Sequence, residues 1–157
     1  MISIEKYHAK WGKQVNLLSV RPEQVDFTVS DIAALLSVLN PLEHPCLILK
    51  DNYVVGFFLL DLAYSDTYHF ADKAIGIRSL LIDQYFQGQG IASDAINLIP
   101  SYANVYYPEF NCLQLTVNCR NKAAFECYRK CGFETLTNLY LGGPAGPQYV
   151  IPIVIIS

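Results

Sequence analysis

No stretch of this chain reaches the roughly 18 consecutive apolar residues that a membrane-spanning helix needs, so no span and no membrane partner are expected. The opening run Met1 to His8 lacks the basic stretch, apolar segment and small-residue cleavage site of a secretory signal, which points to a cytoplasmic protein. Charge is also scarce: Asp, Glu, Lys and Arg make up 16% of the 157 residues, with a formal balance of -3. A nucleic-acid binder needs a basic face to neutralise phosphates, so that class is excluded. No CxxC pair occurs, and the five cysteines (Cys46, Cys112, Cys119, Cys127, Cys131) are an odd set that forms neither a disulfide framework nor a zinc-knuckle spacing. Cys127 and Cys131 share a helix face at i and i+4, but no further ligands stand at metal-binding spacing, and no metal is expected.

Apolar side chains are plentiful. At 52% they suffice to bury a core that offsets the ordering entropy of the chain. The length suits a single domain spanning residues 1–157, with no repeat or linker inside it. Val15 to Val20 alternates loosely and ends at Arg21-Pro22, which predicts a first strand. Ser30 as N-cap, followed by Asp31 and the spaced set Ile32, Leu35, Leu36 and Leu39, predicts a short helix that Asn40-Pro41 stops. Cys46 to Leu49 and Tyr53 to Leu60 flank Lys50-Asp51-Asn52, an antiparallel hairpin signature, with Gly56 marking a bulge.

Ala74 to Asp83 reads as a strand that feeds Gly88 and Gly90, and Ile91 to Ile99 continues as a helix that Pro100 either ends or bends. Cys112 to Val117 alternates as a strand, and Asn121 to Cys131 reads as a helix closed by Gly132 in a left-handed cap. Phe133 to Leu141 and Tyr149 to Ile156 complete the strands, around a Gly- and Pro-rich loop at residues 142–147. Together these elements predict an α/β chain.

The chemistry concentrates in Gln87-Gly88-Gln89-Gly90-Ile91-Ala92, which lies between a strand and a helix start. Bare amides at a helix N-terminus surround an anion, and the helix dipole favours negative charge there. Glycines let the backbone turn tightly against a phosphate, and Ala92 keeps the first helical turn slim. Neither GxxxxGK[ST] nor GxGxxG fits, since Ser93 stands where the dinucleotide pattern requires its last glycine. A second constellation follows some thirty residues on. There Leu113 to Val117 runs into Asn118-Cys119-Arg120-Asn121 and a helix carrying Phe125 and Tyr128.

These two motifs in this order resemble the GCN5-related N-acetyltransferase (GNAT) family. Its coenzyme A loop, [QR]xxGx[GA], is matched by Gln87, Gly90 and Ala92, and its second signature by Asn121, Ala124, Tyr128 and Gly132-Phe133. The resemblance extends from about Val15 to Ile156. It implies an acyl-CoA N-acyltransferase fold: a mixed, mostly antiparallel seven-stranded sheet flanked by about four helices. It also implies acetyl-CoA as cosubstrate and direct transfer of acetyl to an amine, with the coenzyme leaving as a thiol.

By resemblance, the cofactor contacts fall to Leu81, Ile82 and Asp83 at a splayed strand end, to Gln87, Gly88, Gln89, Gly90, Ile91 and Ala92 in the loop, and to Asn118 and Asn121. Tyr128 is the candidate general acid, its phenol pKa of ~10 lying near a thiol's ~8.5; packing in the core is its plain alternative role. No glutamate stands in Ile75 to Ile82, where many relatives keep a base, so Asp83, Tyr85 and water are left for deprotonation. The stretch Leu18 to Gln24 and the Leu81-Ile82-Asp83 strand end look closest to the diamine and spermidine/spermine branch. A small cationic amine such as a polyamine therefore leads among acceptors, ahead of a protein or peptide amine and an aminoglycoside-like drug. Asp61, Asp66 and Asp72 are the candidate acidic contacts, with Tyr64, Tyr68 and Phe70 interleaved as ring walls. A non-catalytic acyl-CoA sensor of the same fold is the alternative of a different class. Eleven tyrosines are compatible with a homodimer.

Overall fold

Asp51 and Asn52 close the central hairpin with φ of 50° and 68°. A two-residue turn whose backbone twist matches its strands needs both residues left-handed, and Asp and Asn are among the few non-glycine types that tolerate it. This hairpin sits inside a computed structural model that describes residues 1–68, 73–133, 135–136, 139–141 and 146–154. Its strands are β2 (Glu43–Lys50) and β3 (Tyr53–Asp61). The remaining strands are β1 (Ile2–Lys6), β4 (Ala74–Ile82), β5 (Cys112–Asn118) and β6 (Gln148–Val154). They form one sheet in the order β1-β2-β3-β4-β5-β6, antiparallel throughout except for the parallel β4–β5 pair.

Alternation along the strands sends side chains to two faces. On one face, Ile48, Phe58, Ile75, Ile77, Leu113, Leu115 and Val117 pack against α4 (Ile91–Tyr106) and against Tyr128 of α5 (Lys122–Lys130). On the other, Leu47, Leu49, Phe57, Leu59 and Leu81 lie under α1 (Gly12–Val15), α2 (Ile32–Leu36) and the chain around Leu18 to Val29. Phe57 and Phe58 are both fully buried, one per face, and each burial of this kind contributes roughly 1.5–3 kcal/mol. A fifth helix, α3 (Tyr64–Tyr68), lies against β4, where a Cβ on Gly76 would run into the Tyr64 ring.

Several sequence expectations need correction. Val15 to Val20 forms no strand: its apolar residues Val15 and Leu18 belong to the end of α1 and the turn after it, and they cap the second core. The first strand is instead Ile2–Lys6, paired with β2. Asp31, not Ser30, caps α2 through Oδ1, which accepts from the Ala34 N–H at 3.0 Å. The bulge in the hairpin falls on Val55, beside Gly56, because Ile48 faces Gly56 while Leu49 faces Val54. Between residues 133 and 141 the described residues form no strand, only a bridge from Tyr140 to Gln148 and a bond from the Leu136 N–H to the Val150 carbonyl. The sheet therefore has six strands among the described residues rather than seven. α4 runs through Pro100 to Tyr106. The helix forgoes one ladder hydrogen bond there, while Ile91, Ala95, Ile96, Ile99 and Ala103 hold its stripe on the sheet.

Candidate active site

The parallel pair β4–β5 is joined only at Ala74↔Cys112, Ile75↔Leu113 and Gly76↔Gln114. Beyond Gly76 and Gln114 the two strands continue without pairing to each other. The cause lies in β4. Phe57 faces Leu81 and Leu59 faces Arg78, so Ser79 and Leu80 together stand opposite Phe58. This is a bulge, marked by Ser79 at φ 54°, and a bulge bends and twists its strand. Ile77 to Ile82 and Leu115 to Asn118 become opposite walls of a cleft of about 870 Å³. The ladder between the two strands ends there, leaving their facing main-chain edges for a guest.

One mouth of the cleft lies at the start of α4. A short 3-10 turn, Gln84–Phe86, leads from β4 into Gly88 and Gly90, both left-handed at φ 79° and 78°. A Cβ at either glycine would meet nothing within 4 Å, so each is there for its backbone conformation and faces open space. Gly90 is the N-cap residue and makes no side-chain cap bond; the first intrahelical bond runs from the Asp94 N–H to the Gly90 carbonyl at 3.0 Å. The amides ahead of Asp94 have no intrahelical acceptor, which is the condition for an anion site at a helix start.

Hydrogen bonds tie this loop to the second core. Gln87 Nε2 donates to the Ile82 carbonyl and to Gln24 Oε1, both at 2.9 Å, while Gln24 Nε2 returns a bond to Gln87 Oε1 at 3.2 Å. The Ser19 N–H donates to Asp83 Oδ1 at 2.9 Å, and Thr28 Oγ1 donates to the Leu80 carbonyl at 3.0 Å. Residues 19–28 are thereby stitched along the cleft, and Val20, Arg21, Gln24, Phe27 and Thr28 form part of its lining. These residues escape sequence reading as site residues: their contacts are 52 to 65 positions away, and no local pattern marks them.

From the opposite wall, α5 contributes Tyr128. Asn121 caps this helix, its Oδ1 accepting from the Ala124 N–H at 3.4 Å. Gly132 (φ 87°) ends it, with bonds from the Gly132 N–H to the Arg129 carbonyl and from the Phe133 N–H to the Tyr128 carbonyl. This is the double C-terminal closure that a left-handed glycine permits. Tyr128 is 8% exposed and lines the cleft. Burial, with a smaller contribution from the neighbouring Cys127 and Cys131, pushes its phenol above the usual range. Ser93 Oγ and Cys127 Sγ, 3.4 Å apart, join the first turn of α4 to α5.

Of the residues singled out in the sequence, Leu81, Ile82, Gln87, Gly88, Gly90, Ile91, Ala92, Asn118, Asn121 and Tyr128 all come together on the cleft. Others stand elsewhere. The Asp83 carboxylate is buried against Ser19, and Gln89 accepts from Lys50 Nζ at 3.0 Å. Tyr85 is 79% exposed and off the cleft. Asp61 is buried in an ion pair with Arg78 at 3.1 Å and also accepts from the Ala63 N–H, so its charge is already matched. Asp66 is exposed on α3, away from the cleft, and Asp72 and Phe70 lie outside the described residues, as does the side chain of Tyr68. Tyr64 is fully buried over Gly76 and walls no amine pocket.

A slot between two parallel strands of a mixed sheet, with an uncapped helix N-terminus at one mouth, defines an α/β protein with a cleft at its strand split. The model of the acetyltransferase (GNAT) family matches residues 13–133. An uncharacterised N-acetyltransferase, YbbJ of Bacillus subtilis (strain 168), is 31% identical over 110 residues, which span 69% of this chain and 68% of that protein. The chain belongs to the GNAT family and is an acyltransferase.

Solved structures show the same fold at low identity. A spermidine N-acetyltransferase from Vibrio cholerae, in complex with CoA and spermine, superposes with a TM-score of 0.71 at 15% identity, covering 98% of this chain and 95% of that one. An aminoglycoside N(6')acetyltransferase from Legionella pneumophila gives 0.72 at 15% identity, covering 98% and 92%.

Proposed function

We propose that this protein transfers the acetyl group of acetyl-CoA to the primary amine of a small molecule. One observation carries the reading: the uncapped start of α4 and the buried phenol of Tyr128 open onto the same slot between β4 and β5. The residues present fit such a cosubstrate. Space is open around Gly88 and Gly90 where a diphosphate would be held by the loop and first-turn amides, and the stretch of β4 beyond its last rung with β5, near Leu81 and Ile82, would bind the amide-rich arm. Asn121 and the Gln87 side chain act one step back, the first fixing the start of α5 and the second the shape of the loop.

When bound, acetyl-CoA supplies the acetyl group as a thioester. Tyr128 is the proposed general acid. Its raised pKa keeps the phenol protonated at every physiological pH, so it holds a proton ready for the departing sulfur and is not available as a base. Of the three candidates for taking the amine proton, neither Asp83 nor Tyr85 reaches the slot, which leaves water. Of the acidic residues expected to hold a polyamine, Asp61 and Asp66 do not line the slot either. The acceptor we propose is therefore a small primary amine, with a polyamine as one member of that class beside peptide and aminoglycoside amines.

The test is a pair of measurements on Tyr128→Phe. Thiol release at saturating substrates should fall about 100-fold or more, the usual scale of general acid catalysis. The thermal shift given by acetyl-CoA should remain. An unchanged rate in the variant would move the acid elsewhere. Absence of any thermal shift in the wild-type protein at millimolar acetyl-CoA would remove the reading itself.

A further inference from the structure

The slot has a second mouth, on the face of the sheet away from α4, and its chemistry differs from the first. Ile75 and Ile77 of β4 and Leu113, Leu115 and Val117 of β5 pack toward α4, so Gly76, Arg78, Gln114 and Thr116 point the other way. Arg78 stands two residues beyond the last paired rung, immediately before the bulge, and lines the slot. Resting on the acetyltransferase reading above, we propose that Arg78 recognises the acceptor, and that this acceptor carries a carboxylate close to its amine, as a free amino acid does.

The geometry of the guanidinium supports this. Nη1 makes both of its ion pairs, with Asp61 Oδ2 at 3.1 Å and Glu43 Oε2 at 3.5 Å, and among the described residues Nη2 and Nε pair with nothing. The two carboxylates are 8% and 16% exposed, whereas the Arg78 side chain is 41% exposed. Held from behind on three adjacent strands, the guanidinium keeps a free edge with parallel donors, the arrangement that takes a carboxylate in a bidentate fork. Its orientation is set in advance, which lowers the ordering cost of binding.

Glu43 and Asp61 outnumber Arg78 in charge and would still draw a bare cation toward this face. Neither lines the slot, however, whereas Arg78 does. A second unmatched polar group stands behind the same mouth. Gln114, on the last paired rung, is 1% exposed, and among the described residues neither of its amide atoms has a partner. The other mouth, at the start of α4, is the one suited to the diphosphate, so Arg78 is left free of that duty.

Matched amines that differ only in the carboxylate test the proposal: ornithine against 1,4-diaminobutane, and lysine against 1,5-diaminopentane. With acetyl-CoA and the wild-type protein, kcat/KM should favour the carboxylate-bearing member by about 10- to 100-fold, the scale of one charge-assisted hydrogen-bond pair. The same members should add a thermal shift to the CoA-saturated protein.

Arg78→Gln alone would leave Asp61 buried without its counter-ion and could unfold the chain. It is therefore combined with Asp61→Asn, and Arg78→Lys serves as a charge-preserving companion. The preference should collapse in Arg78→Gln/Asp61→Asn, with the acetyl-CoA shift intact, and persist in part in Arg78→Lys. Equal or better use of the diamines, a preference unchanged in the double variant, or silence from both amino acids while acetyl-CoA still shifts the protein would each overturn the proposal and leave the acetyltransferase reading standing. Loss of the acetyl-CoA shift from the wild-type protein would instead remove that reading, and this one with it.

Discussion

At its N-terminus α4 meets open space, and at its C-terminus it meets a wall of rings. Gly90 caps the helix start without a side-chain bond and with nothing within 4 Å of where its Cβ would be. At the other end the Tyr107 hydroxyl sits 2.7 Å from His44 Nδ1, and His44 Nε2 lies 3.0 Å from the Pro41 carbonyl. A carbonyl only accepts, so Nε2 carries the proton and Nδ1 accepts from Tyr107. The Tyr102 and Tyr106 rings stand 4.6 Å apart, and burial pushes the Cys46 thiol beneath them up to about 12. One helix thus keeps its polar groups unsatisfied where a guest is to bind and satisfies them where the fold needs closing.

The contrast can be broken first at the closed end. The folded protein holds the Cys46 proton more tightly than the unfolded chain, where the pKa is near 9.0. Stability is then fully present below pH 9 and declines as pH rises toward 12, by about 1.4 kcal/mol per pH unit from this group. Tyr107, raised from 10.0 to about 12 mainly by burial, acts in the same direction from a higher onset. Urea unfolding across pH 8 to 11 should show this decline. In Cys46→Ala the decline above pH 9 should become shallower, since Cys112 and Cys127, whose thiols burial also raises, remain; an unchanged slope would show that the Cys46 thiol is not the group concerned.

A smaller effect is expected at the open end. Gly90→Val forces a β-branched residue into a left-handed backbone, at about 1–2 kcal/mol of strain, and projects methyl groups over the bare amides. Acetyl-CoA affinity by calorimetry should fall about 5- to 30-fold, the equivalent of that strain if the loop gives way. Urea unfolding at pH 8 should lose no more than the same 1–2 kcal/mol. Unchanged affinity would separate the anion site from this helix start. Smallest of all is Gln24→Ala, which removes the partner of Gln87 without touching the main chain of the loop. A net loss of about 0.5–1 kcal/mol corresponds to a two- to five-fold weaker acetyl-CoA complex. If affinity holds and only acceptor KM rises, the amide pair serves the acceptor wall instead.

What the sequence made legible was local. The hairpin follows from Asp51-Asn52 between two apolar runs, α5 from Asn121 and Gly132 at its ends, and the loop from the glycine pair ahead of Ile91. β1 was missed, although Ile2 and Ile4 alternate with polar residues, because it is a short, half-exposed edge strand with little apolar weight. Val15 to Val20 carries apolar residues in no clean period, and packing onto the sheet decides its form. The split between β4 and β5 depends on a two-against-one register with β3, which no window of sequence contains. Asp61, expected as an acidic contact, illustrates a related point. A carboxylate such as Asp61 looks free until its counter-ion, 17 residues away on the next strand, is placed beside it.

Hydrogen–deuterium exchange with and without coenzyme A tests the central claim most directly, because it reads the amides themselves. Protection should appear in peptides covering residues 87–93 and the stretches 77–82 and 115–118, where β4 and β5 are no longer laddered to each other, and should leave the β4–β5 rungs and the far end of α4 unchanged. Uniform protection across the sheet, or none at residues 87–93 with the coenzyme bound, would contradict a grip built on the open start of α4.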